Sequence, residues 1–362
     1  MRTDLGVLPV LLFVVLGAMA PDEGAEAAGF DVAFGSCLRQ WQPQPIWDGI
    51  LSTDPDLFIF LGDNVYTDKG PYRRRAEPQR ISDAYKELDA DPGFQRLRAQ
   101  VPLLATWDDH DYGANNAGRE YPFRLAAKAA FMDFFDVPAD SPLHHRPGIY
   151  DAKVLDTPAG RVQVMLLDTR SFRSPLIYGD TDVACPRSKI VPNDDPQATV
   201  LAEGQWAWLE ERLAEPADLR ILVSSIQVIP DAHCFEKWAN FPRERQRLFE
   251  AIKGANGGRV ILLSGDRHLG EISRIELPGA GALYEVTASG LNSAGAGKDE
   301  TNLFRVHDNN VRVDHFGLLR AERDSAGLSV FLELRGVDGA VIQSVEVPAA
   351  MGEMGRPNKT NQ

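Results

Sequence analysis

Four short polar clusters hold the residues of this sequence that are best suited to chemistry. They are Ser36-Cys37, Gly62-Asp63 with Tyr66 close behind, the run from Trp107 to Asp111, and Gly265-Asp266-Arg267-His268. Thiol, phenol, carboxylate and imidazole groups are the side chains that bind transition metals and hard cations. The pattern therefore predicts a metal site built from four separate parts of the chain.

The segments before these clusters predict strands that would bring them together. Apolar runs at residues 57–61, 101–106 and 260–264 have the length and composition of buried strands, and a further strand over 30–35 leads to Cys37. The carboxyl ends of parallel strands meet at one edge of an α/β sheet. We therefore expect the four clusters to converge at that edge.

The first two clusters predict ligands of a metal pair. Asp63 follows a buried strand, and a carboxylate there can bridge two cations about 3.5–4 Å apart. Cys37 and Tyr66 would add a thiolate and a phenolate, which favour a ferric or zinc ion over magnesium.

The other two clusters complete the predicted ligand set. Asp109 is the expected ligand of the second metal, with Asp108 as a further oxygen ligand or a supporting group. Asp266 and His268 are two residues apart, so both can face the metal pair from one side of an extended segment. His110 is the predicted general acid, able to protonate a leaving alkoxide.

Three further residues are candidates for contacts with the substrate. Arg170 follows a predicted strand and could clamp a phosphate oxygen, although a structural salt bridge with Asp168 is an equal alternative. Asn115 and Asn116 follow the third cluster and could contact the substrate or offer a neutral oxygen to a hard cation.

These four clusters, in this order, resemble the calcineurin-like metallophosphoesterases, and more closely the alkaline phosphatase D (PhoD-like) family. The resemblance covers about residues 30–289. It implies a four-layer αββα sandwich of the α/β (α+β) class and a site that holds Fe³⁺ and Ca²⁺. It also implies activity on phosphomonoesters and phosphodiesters. Zn²⁺ remains the alternative that the ligand types themselves allow.

Composition limits the partners. The chain has 362 residues, 44% of them hydrophobic, and a net charge of −14. This charge argues against a nucleic-acid groove or an anionic membrane surface, since both reward a basic face. A small-molecule, lipid or polymer phosphate ester remains possible if cations supply local positive charge.

The ends of the chain predict export. Residues 1–20 read as a Sec-type signal peptide, with one arginine, a short apolar run and a small-residue cleavage site. Residues 21–29 are the expected flexible leader, 30–349 a single metallophosphoesterase domain and 350–362 a flexible tail. No transmembrane segment is expected after the signal is removed, so the predicted location is periplasmic or secreted.

Two loop features are left open by the sequence. Cys185 and Cys234 can form a disulfide or remain thiols, and their pairing would leave Cys37 free to bind metal. Residues 174–199 are rich in Pro, Asp and Asn and predict a long loop without periodicity, which could act as a lid. From residue 271 onward, alternating strands predict an antiparallel sheet that packs on the α/β half.

The sequence thus predicts an exported, metal-dependent phosphoesterase. The bound cations would lower the pKa of a water molecule so that hydroxide attacks phosphorus. One alternative keeps the site but changes the substrate to a phospholipid or a wall polymer. The other is a secreted metal-binding protein without catalytic activity.

Overall fold

The computed structural model describes residues 28–73, 77–180, 185, 189–295 and 300–347. Two six-stranded mixed sheets and seven α-helices account for about half of these residues. The predicted signal peptide and tail lie outside the described residues, so their assignment stays a prediction.

The first sheet joins three parallel strands to three antiparallel ones. Its strands, in spatial order, are β14 (Val341–Val347), β13 (Gly327–Gly336), β12 (His315–Asp324), β1 (Ala28–Gly35), β2 (Leu57–Leu61) and β3 (Leu103–Thr106). Strands β1, β2 and β3 run parallel, and β12 pairs antiparallel with β1.

The second sheet has a parallel centre and two antiparallel edges. Its strands, in spatial order, are β10 (Gly270–Leu277), β11 (Gly281–Ala288), β9 (Arg259–Ser264), β8 (Leu219–Val223), β5 (Gly160–Leu166) and β4 (Asp151–Thr157). Strands β11, β9, β8 and β5 are parallel to one another.

The helices cover the outer face of each sheet. They are α1 (Ile46–Leu51), α2 (Gln79–Asp89), α3 (Pro92–Gln100), α4 (Asp109–Tyr112), α5 (Arg124–Phe134), α6 (Glu203–Ala214) and α7 (Pro242–Lys253). The break between α2 and α3 has a local cause. The Asp91 carboxylate accepts hydrogen bonds from Gly93 N and Phe94 N, and Pro92 occupies the first helical position.

The predicted four-layer αββα sandwich is confirmed by the way β2 divides its side chains. Phe58 and Phe60 pack against the helices on one face, whereas Leu57, Ile59 and Leu61 pack against the second sheet on the other. The alternation follows from the two-residue period of a strand. A third core fills the space between the second sheet and helices α6 and α7.

One prediction about the second half of the chain was wrong in detail. The late strands do not form a separate antiparallel sheet, because β10 and β11 extend the second sheet and β12–β14 extend the first. The region 174–199 is mainly loop among its described residues. It contains a short antiparallel ladder of β6 (Ile177–Tyr178) and β7 (Ile190–Val191). No helix among the described residues is long and apolar enough to cross a membrane.

Candidate metal centre

The carboxyl ends of parallel strands from both sheets meet at one place. Just beyond β1, Ser36 pairs with Ser289, which follows β11, so the two sheets are joined at this edge. Ser36 N donates to Ala288 O at 3.0 Å. The backbone at Gly265 approaches Ser36 so closely that a Cβ on Gly265 would lie 2.4 Å from Ser36 Oγ. The predicted convergence of separate strand ends is therefore present.

The first ligand group combines sulfur, oxygen and nitrogen. Donor atoms of Cys37, Asp63 and His268 lie within 4.8 Å of one another. Tyr66 Oη is 3.1 Å from Asp63 Oδ2 and 3.1 Å from His268 Nε2. His268 Nδ1 lies 2.6 Å from Ser293 O, so Nδ1 carries the proton and Nε2 presents its lone pair to the group.

The second ligand group consists only of carboxylates. Oxygens of Asp63, Asp108, Asp109 and Asp266 also lie within 4.8 Å of one another. Asp63 belongs to both groups, which places it where a bridging ligand of a two-metal site must lie. Asp108 and Asp109 are buried, while Asp266 is partly exposed and opens the group to solvent.

His110 lies against both groups. Its Nδ1 is 2.6 Å from Asp68 Oδ1, its Nε2 is 3.8 Å from Asp109 Oδ1, and its ring lies 4.3 Å from that of Tyr66. Because Asp68 holds Nδ1, the other ring nitrogen is directed toward the carboxylates. His110, Asp63 and Asp109 themselves form a third possible ligand group.

Burial dominates the electrostatics of the protein's own groups. It raises the pKa of Asp63 and Asp266 well above the usual range, and neighbouring negative charges add to the effect. Burial also raises the pKa of Asp108 to about 6, against the opposing effect of Arg170. For Asp109, burial opposes ionisation, yet His110 and Arg170 lower the pKa to about 2. Such a cluster calls for cationic compensation.

Buried carboxylate oxygens without hydrogen-bond partners also indicate that this cluster binds cations. Within the described part of the chain, Asp108 Oδ2 and Asp109 Oδ1 are buried without any hydrogen-bond partner. A buried carboxylate oxygen without a partner is costly, and a metal ion can satisfy it. The residues present therefore fit a metal pair, with a mixed sulfur, oxygen and nitrogen set on one side and an all-oxygen set on the other.

The sequence model of the PhoD-like phosphatase family matches residues 32–330. The chain belongs to this family. Alkaline phosphatase D of Bacillus subtilis (strain 168) is 23% identical to it over 311 residues, covering 76% of this chain and 51% of the relative. The chain thus spans about half the length of the curated relative it matches.

Two solved structures share the fold. The structure of PhoD superposes with a TM-score of 0.68 at 19% identity, covering 90% of this chain and 70% of that one. GAP50, described as the anchor in the inner membrane complex of Plasmodium, superposes with a TM-score of 0.54 at 10% identity. That match covers 88% of this chain and 89% of the other. The predicted family resemblance is confirmed.

In this PhoD-like chain, the contacts of the Arg170 side chain differ from both predicted alternatives, a phosphate clamp and a salt bridge with Asp168. Its guanidinium is fully buried, with Nε donating to Asp108 Oδ1 at 2.7 Å and Nη1 to Glu236 Oε2 at 2.7 Å. Asp168 accepts from the backbone N–H of Arg170 and does not pair with its side chain. Nε, Nη1 and Nη2 of Arg170 therefore all donate to carboxylates of the protein itself, Asp108 and Glu236.

The two asparagines differ from each other. Asn116 lies beside the centre, because its backbone N–H donates to the Asp109 carboxylate and its side chain donates to Tyr178 Oη at 2.9 Å. Asn115 is exposed: its side-chain oxygen accepts from Lys69 Nζ at 3.0 Å, and its backbone N–H donates to Asp68 Oδ2 at 2.8 Å. A role for either one in substrate binding stays a prediction.

Sequence reasoning missed two residues that border the site. Asp68 lies only five residues after Asp63, and its acidic character next to the second cluster was the available signal. Arg39 follows Cys37 by two residues, and its guanidinium carbon lies 5.9 Å from the centroid of the Tyr66 ring. Arg39 is partly exposed and forms no ion pair within the described ranges.

Proposed function

We propose that this protein is a metal-dependent phosphoric ester hydrolase that acts on phosphomonoesters, phosphodiesters or both. The observation that carries the proposal is the position of Asp63, which is shared by two ligand groups of different chemical character. A two-metal site with a shared carboxylate is suited to in-line displacement at phosphorus.

The residues present would hold two different cations. Cys37 and His268, together with Asp63 and Tyr66, would favour an iron or zinc ion, because thiolate and imidazole donors suit transition ions better than calcium or magnesium. The all-carboxylate group of Asp63 with Asp108, Asp109 and Asp266 favours a hard ion such as calcium. Bound cations supply Lewis acidity, which lowers the pKa of a water molecule and neutralises charge on the phosphoryl oxygens.

His110 and Asp68 would handle the proton of the leaving group. The imidazole lies beside the carboxylate group, and the Asp68 carboxylate fixes its orientation through Nδ1 at 2.6 Å. With Nδ1 held in this way, Nε2 can deliver a proton to the departing alkoxide. Asp68 is thus a positioning residue for His110.

Arg39 takes the role that the sequence assigned to Arg170. Its partly exposed guanidinium lies beside Tyr66 and has no carboxylate partner among the described residues. A guanidinium in that condition can donate two parallel hydrogen bonds to phosphate oxygens. Arg39 would therefore orient the substrate phosphate on the Cys37 side of the centre.

Export is part of the proposal. Cys185 and Cys234 form a disulfide with a Cα–Cα distance of 5.6 Å, and Cys37 remains a free, buried thiol. Stable disulfides are typical of oxidising compartments, which supports a periplasmic or secreted location. Fractionation of the producing cells, with detection of the mature N-terminus, tests this part.

The first experiment combines elemental analysis of the purified protein with hydrolysis of p-nitrophenyl phosphate and of its bis ester. We expect two metals per chain, one of them iron or zinc, and turnover of at least one ester. Cys37→Ser should lower the content of the softer metal, and His110→Ala should lower turnover while metal is retained. A fully metal-loaded protein that turns over neither ester nor a phospholipid would favour a binding role and refute the enzyme.

A further inference from the structure

The rim of the metal centre carries two exposed aromatic side chains that the proposed chemistry does not use. Tyr178 in β6 is 58% exposed, and Phe235, which follows β8, is 42% exposed. Single exposed apolar residues are ordinary on protein surfaces, so their position has to carry the argument.

One residue, Asn116, links Tyr178 to a carboxylate of the centre. The side-chain amide of Asn116 donates to Tyr178 Oη at 2.9 Å, and the backbone N–H of Asn116 donates to Asp109. The Tyr178 hydroxyl is therefore linked to Asp109 through Asn116, while its ring stays exposed to solvent.

One residue, Arg267, likewise links Phe235 to a carboxylate of the same group. The guanidinium carbon of Arg267 lies 4.0 Å from the centroid of the Phe235 ring, and Arg267 Nη1 is 3.9 Å from Asp266 Oδ2. Glu300 holds the other end of the guanidinium. This cation–π contact covers one face of the ring and fixes its orientation.

The two aromatic residues belong to one braced unit. The Cys185–Cys234 disulfide joins the loop of β6 and β7 to the segment that contains Phe235. Ile190 N donates to Cys234 O at 2.9 Å, and Asn240 Nδ2 donates to Ile190 O at 3.1 Å. A ladder of two-residue strands is too short to hold its place alone, so these ties position it.

We propose that Tyr178 and Phe235 form a subsite for the organic group of the substrate, and that this group is aromatic or similarly flat and apolar. This inference rests on the proposed function. Each ring is linked to the four-carboxylate group by one intervening residue, Tyr178 through Asn116 to Asp109 and Phe235 through Arg267 to Asp266. An ester whose phosphate binds at this group therefore has its substituent within reach of the two rings, where it gains ring contacts.

The test compares phenyl phosphate with ethyl phosphate, both followed by release of inorganic phosphate from the metal-loaded enzyme. Tyr178→Ala and Phe235→Ala should each raise KM for phenyl phosphate about 3- to 10-fold, with little change for ethyl phosphate or in kcat. The matched control is Leu125→Ala, a 76% exposed side chain of α5, which should change neither ester. Comparison across variants cancels the different intrinsic reactivity of the two esters.

Two further variants separate ring contact from other roles. Tyr178→Phe keeps the ring and loses only the hydrogen bond with Asn116, so it should keep most of the preference for phenyl phosphate. The double variant Cys185→Ser with Cys234→Ser should lose that preference while it keeps its metal content.

The outcomes distinguish this inference from the proposed function. If the metal-loaded wild-type protein hydrolyses no ester, the proposed function fails. If it hydrolyses both esters and the alanine variants change them equally or not at all, the aromatic subsite is refuted and the hydrolase stands. A loss in Tyr178→Phe as large as in Tyr178→Ala would also refute the subsite, since Tyr178 would then act through Asn116.

Discussion

Replacement of Arg170 by alanine should lower the melting temperature of the protein, and its main effect should be on the free energy of unfolding and not on KM. The guanidinium is fully buried, and it donates to Asp108 and Glu236, both also buried. Removal of one partner from a buried ion pair costs about 3–5 kcal/mol, because it leaves uncompensated charge in the interior. At about 2 °C per kcal/mol for a chain of this size, the melting temperature should fall by about 6–10 °C.

Calorimetry and steady-state kinetics on the same preparations test this reasoning. Arg247→Ala is the matched control, since Arg247 pairs with Glu203 at 2.7 Å and with Glu210 but is partly exposed. Loss of an exposed pair costs at most about 1 kcal/mol, or about 2 °C. Arg39→Ala should behave in the opposite way, with an unchanged melting temperature and a KM raised about tenfold. A stable Arg170→Ala variant with only a raised KM would show that Arg170 contacts the phosphate after all.

Three further predictions concern proton transfer, metal and pH. Asp68→Asn should lower kcat about 10- to 100-fold at unchanged metal content, because His110 loses the carboxylate that orients it; an unchanged kcat would contradict this role. Metal removal by a chelator should lower the melting temperature by about 5 °C or more, whereas chelator already saturated with calcium should not, since only free chelator uncovers the buried carboxylates. Burial raises the pKa of Glu285 to about 7 from 4.5, so the folded state keeps a proton that the unfolded state releases. Stability should therefore fall between about pH 4.5 and 7, by up to about 3 kcal/mol, and Glu285→Gln should flatten that fall; parallel curves would refute the assignment.

Local patterns in the sequence were sufficient to predict the strands and their polar ends. The run over 57–61 is apolar at every position, which is the pattern of a strand buried on both faces, and the structure buries all five residues. Glycine next to Asp63 and Asp266 indicated where the chain turns. Residues at such turns can be assigned from sequence because each signal lies within a few positions.

Contacts between distant residues could not be predicted in the same way. Arg170 pairs with Glu236, 66 positions away, and no local signal identifies that partner. The strands after residue 271 were recognisable from alternation, but alternation does not say which strand lies beside which. The disulfide stayed open for the same reason, because it depends on a distance between Cα atoms that the sequence does not contain.

The backbone gives an independent reason to regard the strand ends as a functional site. Cys37, Asp63, Asp266 and His268 have φ values of 62°, 51°, 66° and 55°, in the left-handed region that favours glycine. A non-glycine residue in this region costs about 1 kcal/mol or more, and four of them together are comparable with a sizeable part of the stability of a domain. Glycine would relieve this cost at each position but would remove a thiol, two carboxylates and an imidazole. A metal pair would use all four side chains as ligands, which would account for their presence at positions where glycine costs less.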